Sequence, residues 1–276
     1  MKRSVQAKFP ASAQLFKFCQ KVMHEQRNGK KVHDQEVGAI LSFNPSDCSH
    51  WKRGEKNVRS VFALEKLSQT LKLETAILHD IVSGHAGLNE AFYEYQESKN
   101  YAEILKVALQ EGEKAIATSR AHVEAFVKSV HDQCEFETPP LYLPEVLRFF
   151  SFVSTQPTDM MEKLSRILKV RPGQYSIQFC KGELKPQTRM SMSKDLARII
   201  FEGERERFPE LGLKNNNLVE LEKMIFVANL LVPKHMLAQE LAKLDVRRNV
   251  INDLANLFWV PKSLIGFQMQ EMVRTA

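Results

Sequence analysis

The side chains that could do chemistry in this 276-residue chain sort first by what their spacing forbids. There are eight histidines, but no two stand four residues apart, so no helix face offers the paired imidazoles of a zinc peptidase. His24-Glu25 lacks a second His in range. The four cysteines, Cys19, Cys48, Cys134 and Cys180, are far apart with no CxxC pair. That pattern fits reduced, buried thiols and neither a zinc ribbon nor a disulfide framework. No nucleophile elbow, phosphate-binding loop or Rossmann glycine pattern occurs. What remains is charge. The formal net charge is +6; residues 1–84 hold 14 Lys and Arg against 8 Asp and Glu, while the other residues hold 25 of each. A local basic surplus is the electrostatic footprint of a nucleic-acid binder. Within it, residues 45–59 mix Ser, Asp and His with Lys and Arg around two apolar positions, Cys48 and Trp51.

Those residues need a scaffold, and the apolar periodicity supplies one. Leu15, Phe16, Cys19, Val22 and Met23 fall at helical spacing, with Ser12 as expected N-cap and Arg27-Asn28-Gly29 as the end. Asp34 to Leu41 puts Val37, Ile40 and Leu41 on one face, with Gly38 where a neighbouring helix can approach closely. Phe43 and Asn44-Pro45-Ser46 form a turn, and Pro45 or Ser46 opens a third helix closed by Arg53-Gly54. Leu64, Leu67, Leu71 and Leu73 predict a fourth helix; Ile77, Leu78, Ile81 and Val82 before Gly84 predict a fifth. Five short helices in this space make a compact bundle.

The string from Asp34 to Glu74, DQEVGAILSFNPSDCSHWKRGEKNVRSVFALEKLSQTLKLE, resembles the lambda-repressor-like (XRE, Cro/C1-type) helix-turn-helix. The family's small residue falls on Gly38, its apolar pair on Val37 and Leu41, its turn residue on Phe43, its buried recognition-helix positions on Cys48 and Trp51, and its closing glycine on Gly54, all without a gap. The usual Thr-Gln opening stands here as His33-Asp34, with Gln35 one place later as the expected phosphate contact, and Lys52 replaces the common Glu before Arg-Gly. The resemblance implies that the third helix lies in the major groove of double-stranded DNA. Ser46, Asp47, Ser49 and His50 then face the bases, where Ser and His bond base edges and Asp accepts from a cytosine amino group. Asp47 equally suits the start of a helix, where it favours the dipole. Lys52, Arg53, Lys56 and Arg59 are placed for phosphate oxygens.

Beyond this, residues 88–134 read as helix, with apolar positions from Phe92 to Val130 among many charges and a break at Gly112. The stripe must bury against the C-terminal half or a second subunit. Dimerisation is the expectation, because such regulators pair to read two half-sites. Three prolines, Pro139, Pro140 and Pro144, then punctuate the chain. Helical patterns follow over Pro144–Val153 and Thr158–Val170, then one short strand over Tyr175–Phe179 with a turn at Lys181-Gly182. Helices are expected over Lys194–Arg207 and Leu218–Leu231, the latter stopped by Val232-Pro233, and two more complete the chain.

The order of that strand, TRMSMSKDLARIIFEGE, ELEKMIFVANLLVPKHML and DLANLFWVPKSLIG is similar to the ImmA/IrrE metallopeptidase-like domain, with Arg189 and Leu230–Pro233 matching well. Helix-turn-helix followed by such a domain is a bacterial architecture. The HExxH motif of that family stands here as KDLAR, so its two ligand positions are Lys194 and Arg198 and its base position is Asp195. A Lys or Arg offers zinc no lone pair. Glu220 or Glu222, of which Glu222 is preferred, takes the third-ligand position and cannot hold a metal alone. Lys194, Asp195, Arg198 and a facing Glu then form either a salt-bridge cluster or an anion-binding pocket.

The sequence therefore predicts a mainly α chain. Residues 1–84 form a five-helix lambda-repressor-like helix-turn-helix domain, 85–135 a long helical connector that packs either within the chain or across a dimer, and 136–276 an α+β domain with a small sheet. The expected function is sequence-specific transcriptional regulation as a homodimer on double-stranded DNA, with a catalytically inactive, protease-like domain that senses a small-molecule or protein effector or dimerises. No cofactor, metal or catalytic residue is expected. No run approaches the roughly 18 apolar residues of a membrane span, and the basic start lacks a signal-peptide core, so a cytoplasmic location is expected. Two alternatives stand beside this: an antitoxin-type interaction protein that autoregulates its operon, and an active metallopeptidase.

Overall fold

The computed structural model describes residues 7–159, 163–180, 184–244 and 250–275. The chain is mainly helical with one small sheet, and it divides into two compact units, residues 1–99 and 100–276. Among the described residues no helix is long and apolar enough to cross a membrane.

The first unit holds α1 (Pro10–Gln26), α2 (Asp34–Ile40), α3 (Pro45–Lys52), α4 (Val61–Leu71) and α5 (Thr75–Ser83), followed by the start of α6 (Leu88–Ala108). Local chemistry sets the ends. Pro10 opens α1, where its fixed φ suits the first turn and its missing N–H is no loss. Ser12 is therefore not the expected cap: it lies inside the helix, buried, and its Oγ accepts from Val58 N at 2.9 Å. Asn44 caps α3 through an Oδ1 that accepts from Asp47 N at 2.8 Å, and Ser60 caps α4, each cap contributing about 1 kcal/mol. Gly84 ends α5 in the left-handed region at φ +78°, which costs glycine no steric clash. The apolar faces converge on one core containing Leu15, Phe16, Cys19, Leu64, Leu67 and Leu78, with Phe92 and Tyr95 of α6 joining it. The interior has no water to solvate a thiolate, so burial pushes the Cys19 thiol up to about 12.

The boundary between the units falls within α6, and the stretch is broken into two helices at Gly112, where the sequence places a break. A short 3-10 turn at Leu109–Glu111 and Gly112, at φ +83°, separate α6 from α7 (Glu113–Gln133). The apolar positions of α7, namely Val123, Phe126, Val127 and Val130, are buried within the second unit, where α7 packs against α10 (Val219–Leu231) and α8 (Leu143–Phe149).

The sheet has the order β1-β3-β2. β1 (Val153–Thr158) runs parallel to β3 (Gln174–Cys180), and β2 (Ser165–Arg171) pairs with β3 antiparallel, with Ser165 opposite Phe179. Only the central strand coincides with the expected one. The helix expected over Thr158–Val170 is corrected to the end of β1 and most of β2. Leu164, Ile167 and Leu168 mimic helical spacing, and Pro157 disguises β1, but an edge strand tolerates a proline. The expected turn at Lys181-Gly182 lies outside the described residues.

α9 spans Pro186–Arg198 and continues into a π-helical turn at Ile199–Gly203. The helix expected over Lys194–Arg207 therefore starts earlier, at another proline-opened first turn, and ends earlier. α10 follows as expected, buried along most of its length. Three helices, not two, complete the described chain: α11 (Lys234–Leu241), α12 (Val250–Phe258) and α13 (Lys262–Thr275). An aromatic cluster fills the interior between α7, α8 and α10, with Phe126 within 5.0 to 6.4 Å of Phe150, Phe208 and Phe226.

Candidate functional site

In the first unit, α3 is fixed by its two apolar residues. Trp51 is fully buried; its indole Nε1 donates to the Ser12 carbonyl at 2.8 Å, and its ring meets Phe16 and Phe43 edge-on at 5.1 and 5.8 Å. Such aromatic pairs add to area burial. Cys48 packs on α2, and its Sγ donates to Asp34 O at 2.9 Å. Gly38 makes this approach feasible, since a Cβ there would sit 2.8 Å from both Cys48 Cβ and Sγ. With Cys48 and Trp51 inward, helical geometry turns Ser46, Ser49, Lys52 and Arg53 outward, and all four are exposed. Gln35 on α2 and Arg59 before α4 are exposed as well, while Asp47, His50 and Lys56 are half-buried.

Most of these polar groups are engaged. Lys52 Nζ pairs with Asp34 at 2.5 Å, and Lys56 Nζ pairs with Asp47 at 2.8 Å while lying 4.5 Å from the Phe43 ring centre. Arg53 and His50 both reach Glu55. The Arg53 guanidinium, and after it His50, holds the Glu55 carboxyl down to about 2. Among the described residues the side chains of Gln35, Ser46, Ser49 and Arg59 have no hydrogen-bond or ion-pair partner. The pairs hold the long cationic side chains in place, yet exposed ion pairs are weak and readily exchanged for a phosphate oxygen. Sequence reasoning missed Asp34 and Glu55 as partners of the cations it named. It also missed Val61 and Phe62, apolar and exposed at the start of α4, directly after Arg59 and Ser60.

The second unit contains a cavity of about 180 Å³ between α9, α10, α13 and the C-terminal part of α6. Lys194, Asp195 and Arg198 line it from α9, and Glu220 and Lys223 line it from α10. Three of the four positions that the resemblance singled out thus line one cavity. The fourth, Glu222, faces elsewhere: it is buried, accepts from Arg205 at 2.6 and 3.0 Å, and accepts from Ser119 Oγ at 2.6 Å. The expected facing carboxylate is Glu220, three residues before Lys223, to which it pairs at 2.6 Å. Asp195 Oδ2 accepts from Ser165 Oγ at 2.6 Å. Burial pushes the Asp195 carboxyl above its ordinary value, partly offset by Ser165 and by nearby Arg198 and Lys163. Among the described residues no three His, Cys, Asp or Glu side chains gather as a metal site would require.

No family model, curated protein or solved structure matches this chain.

Arg189, which the resemblance singled out, is a buried clasp. Its guanidinium donates to the carbonyls of Leu141 at 2.6 Å and Phe258 at 2.9 Å, and to that of Trp259. It ties the segment before α8 to the end of α12, where Trp259 takes a left-handed φ of +55°. An ion pair missed in the sequence joins half-buried Arg120 to buried Glu271 at 2.7 Å. The partners lie more than a hundred residues apart, so no local pattern reveals them.

Proposed function

We propose that the chain is a sequence-specific DNA-binding regulator in which α2 and α3 form a helix-turn-helix and α3 is the recognition helix. The observation that carries this reading is the anchoring of α3 by Cys48 and Trp51, which leaves Ser46 and Ser49 presented to solvent beside Lys52 and Arg53. A helix held by its inner face and bearing short hydrogen-bonding side chains outside is what a major groove accepts. The basic surplus of residues 1–84 supports the reading, as does the cheap exchange of its surface ion pairs for phosphate. Gln35 and Arg59 are assigned to the backbone, and Ser46, Asp47, Ser49 and His50 to base edges, with Asp47 and His50 first leaving Lys56 and Glu55. The protein binds as a homodimer, because a single short helix reads too few bases to specify a site.

The second unit is assigned a sensing role with no peptidase activity, on the ground that Lys194 and Arg198 hold no lone pair for zinc. Selection from a pool of random duplexes tests the DNA reading. A defined motif, repeated as two half-sites about one helical turn apart, is expected; an unenriched pool would contradict it.

A further inference from the structure

The cavity of the second unit has a division of labour in its walls. Its floor is apolar, formed by Ile104, Met190, Met224, Val227 and Leu264. Its charged groups lie together on the first and last turns of the helices that face it, α10 and α9. A dry void of roughly 150 Å³ is enough to admit a benzene ring, and this cavity offers about 180 Å³.

The charged groups are not equally committed. Asp195 is turned to Ser165 Oγ. Glu202, beside the cavity, and Glu220 both pair with Lys223. Arg198 is held by one contact alone, Nε to Glu202 at 3.3 Å, on a side chain that is 66% exposed. Its two terminal nitrogens therefore have no hydrogen-bond partner among the described residues. A guanidinium with both terminal amino groups available presents the fork that a carboxylate fits in two-toothed fashion.

We propose that this cavity binds a small organic carboxylate with an apolar body, the carboxylate taken by Arg198 and the body lying against Met190, Met224 and Val227. The site stands whether or not the first unit binds DNA.

Benzoate is the probe, titrated into the full chain at neutral pH with methyl-labelled methionines followed by NMR. Saturable shifts are expected at Met190 and Met224 with a dissociation constant on the order of 1 mM, as suits so few atoms, and none at Met23 in the first unit. Benzyl alcohol, with the same ring and no charge, should bind about tenfold more weakly, and Arg198→Gln should weaken benzoate by a similar factor. Val227→Phe, which fills the floor, should abolish the shifts with the far-ultraviolet spectrum preserved; Arg198→Gln alters only an exposed residue and keeps the test decisive if that variant misfolds. Absence of saturable shifts up to about 20 mM benzoate, equal binding of benzyl alcohol, or undiminished binding by Arg198→Gln would each overturn the assignment.

Discussion

The Arg53 guanidinium lies in the fork of the Glu55 carboxylate, with Nε and Nη2 each 2.9 Å from an oxygen. His50 Nδ1 reaches the same carboxylate at 2.5 Å. One acidic residue just past the end of α3 therefore restrains two of the groups assigned to DNA. Its carboxyl is held down to about 2, so it is ionised throughout the ordinary pH range and, under the proposed function, competes with phosphate for Arg53.

Glu55→Gln should release both partners. DNA affinity is expected to rise about threefold to tenfold at low salt, with a salt dependence steeper by up to about one released ion. Fluorescence anisotropy across a salt series measures both. Unchanged affinity would remove Arg53 and His50 from the interface.

Gly38→Ala places a methyl 2.8 Å from Cys48 Cβ and Sγ, where α2 and α3 are in contact. The helix gains a better former, but the overlap wins, and a loss of about 1–3 kcal/mol is expected. The chain has two tryptophans, so a Trp259→Phe background leaves Trp51 to report the unfolding of the first unit alone. A neutral or stabilising result would mean that the two helices can part without cost.

The first unit was the more legible in sequence because each of its helices buries one stripe and carries a local stop signal. Val37 on α2 stands at helical spacing from Ile40 and Leu41, Cys48 on α3 from Trp51, and Val37, Cys48 and Trp51 are all buried; Gly38 marks the close approach to Cys48. The second unit hides its logic in long-range partners. Ile167 and Leu168 suit either a helix or an edge strand until β3 is placed between β1 and β2. Glu220 and Glu222 are equally acidic in sequence, and only the approach of Arg205 and Ser119 decides that Glu222 is internal.

Glu222→Gln should therefore act on stability and leave the cavity alone. It removes the charge facing buried Arg205, and breaking such a pair costs about 3–5 kcal/mol. Glu220→Gln, on an exposed side chain, should change stability little. Denaturant unfolding of the two variants, read by Trp259, distinguishes them; equal effects would contradict the division between the two carboxylates.

His131 gives the second unit a pH dependence of definite sign. It is buried, its Nε2 donates to Leu230 O at 3.0 Å, and burial lowers its pKa from 6.5. Above that value the ring is neutral whether the chain is folded or not. Below it the unfolded chain takes up the proton first, so stability falls as pH drops from 6.5 toward the folded value, by at most about 1.4 kcal/mol per pH unit. Once the folded ring is also protonated the loss levels off. His131→Gln should remove this component, as urea midpoints between pH 7 and 5 would reveal; an unchanged slope would assign it to another group.

The central claim is that the outer face of α3 reads DNA. The most direct measurement compares the wild type with a Ser46→Ala/Ser49→Ala variant on the enriched duplex and on a scrambled one, by anisotropy across a salt series. Salt-sensitive binding that prefers the enriched duplex, with the preference lost in the variant, is the predicted result. Weak binding that is equal for both duplexes and both proteins would contradict the account.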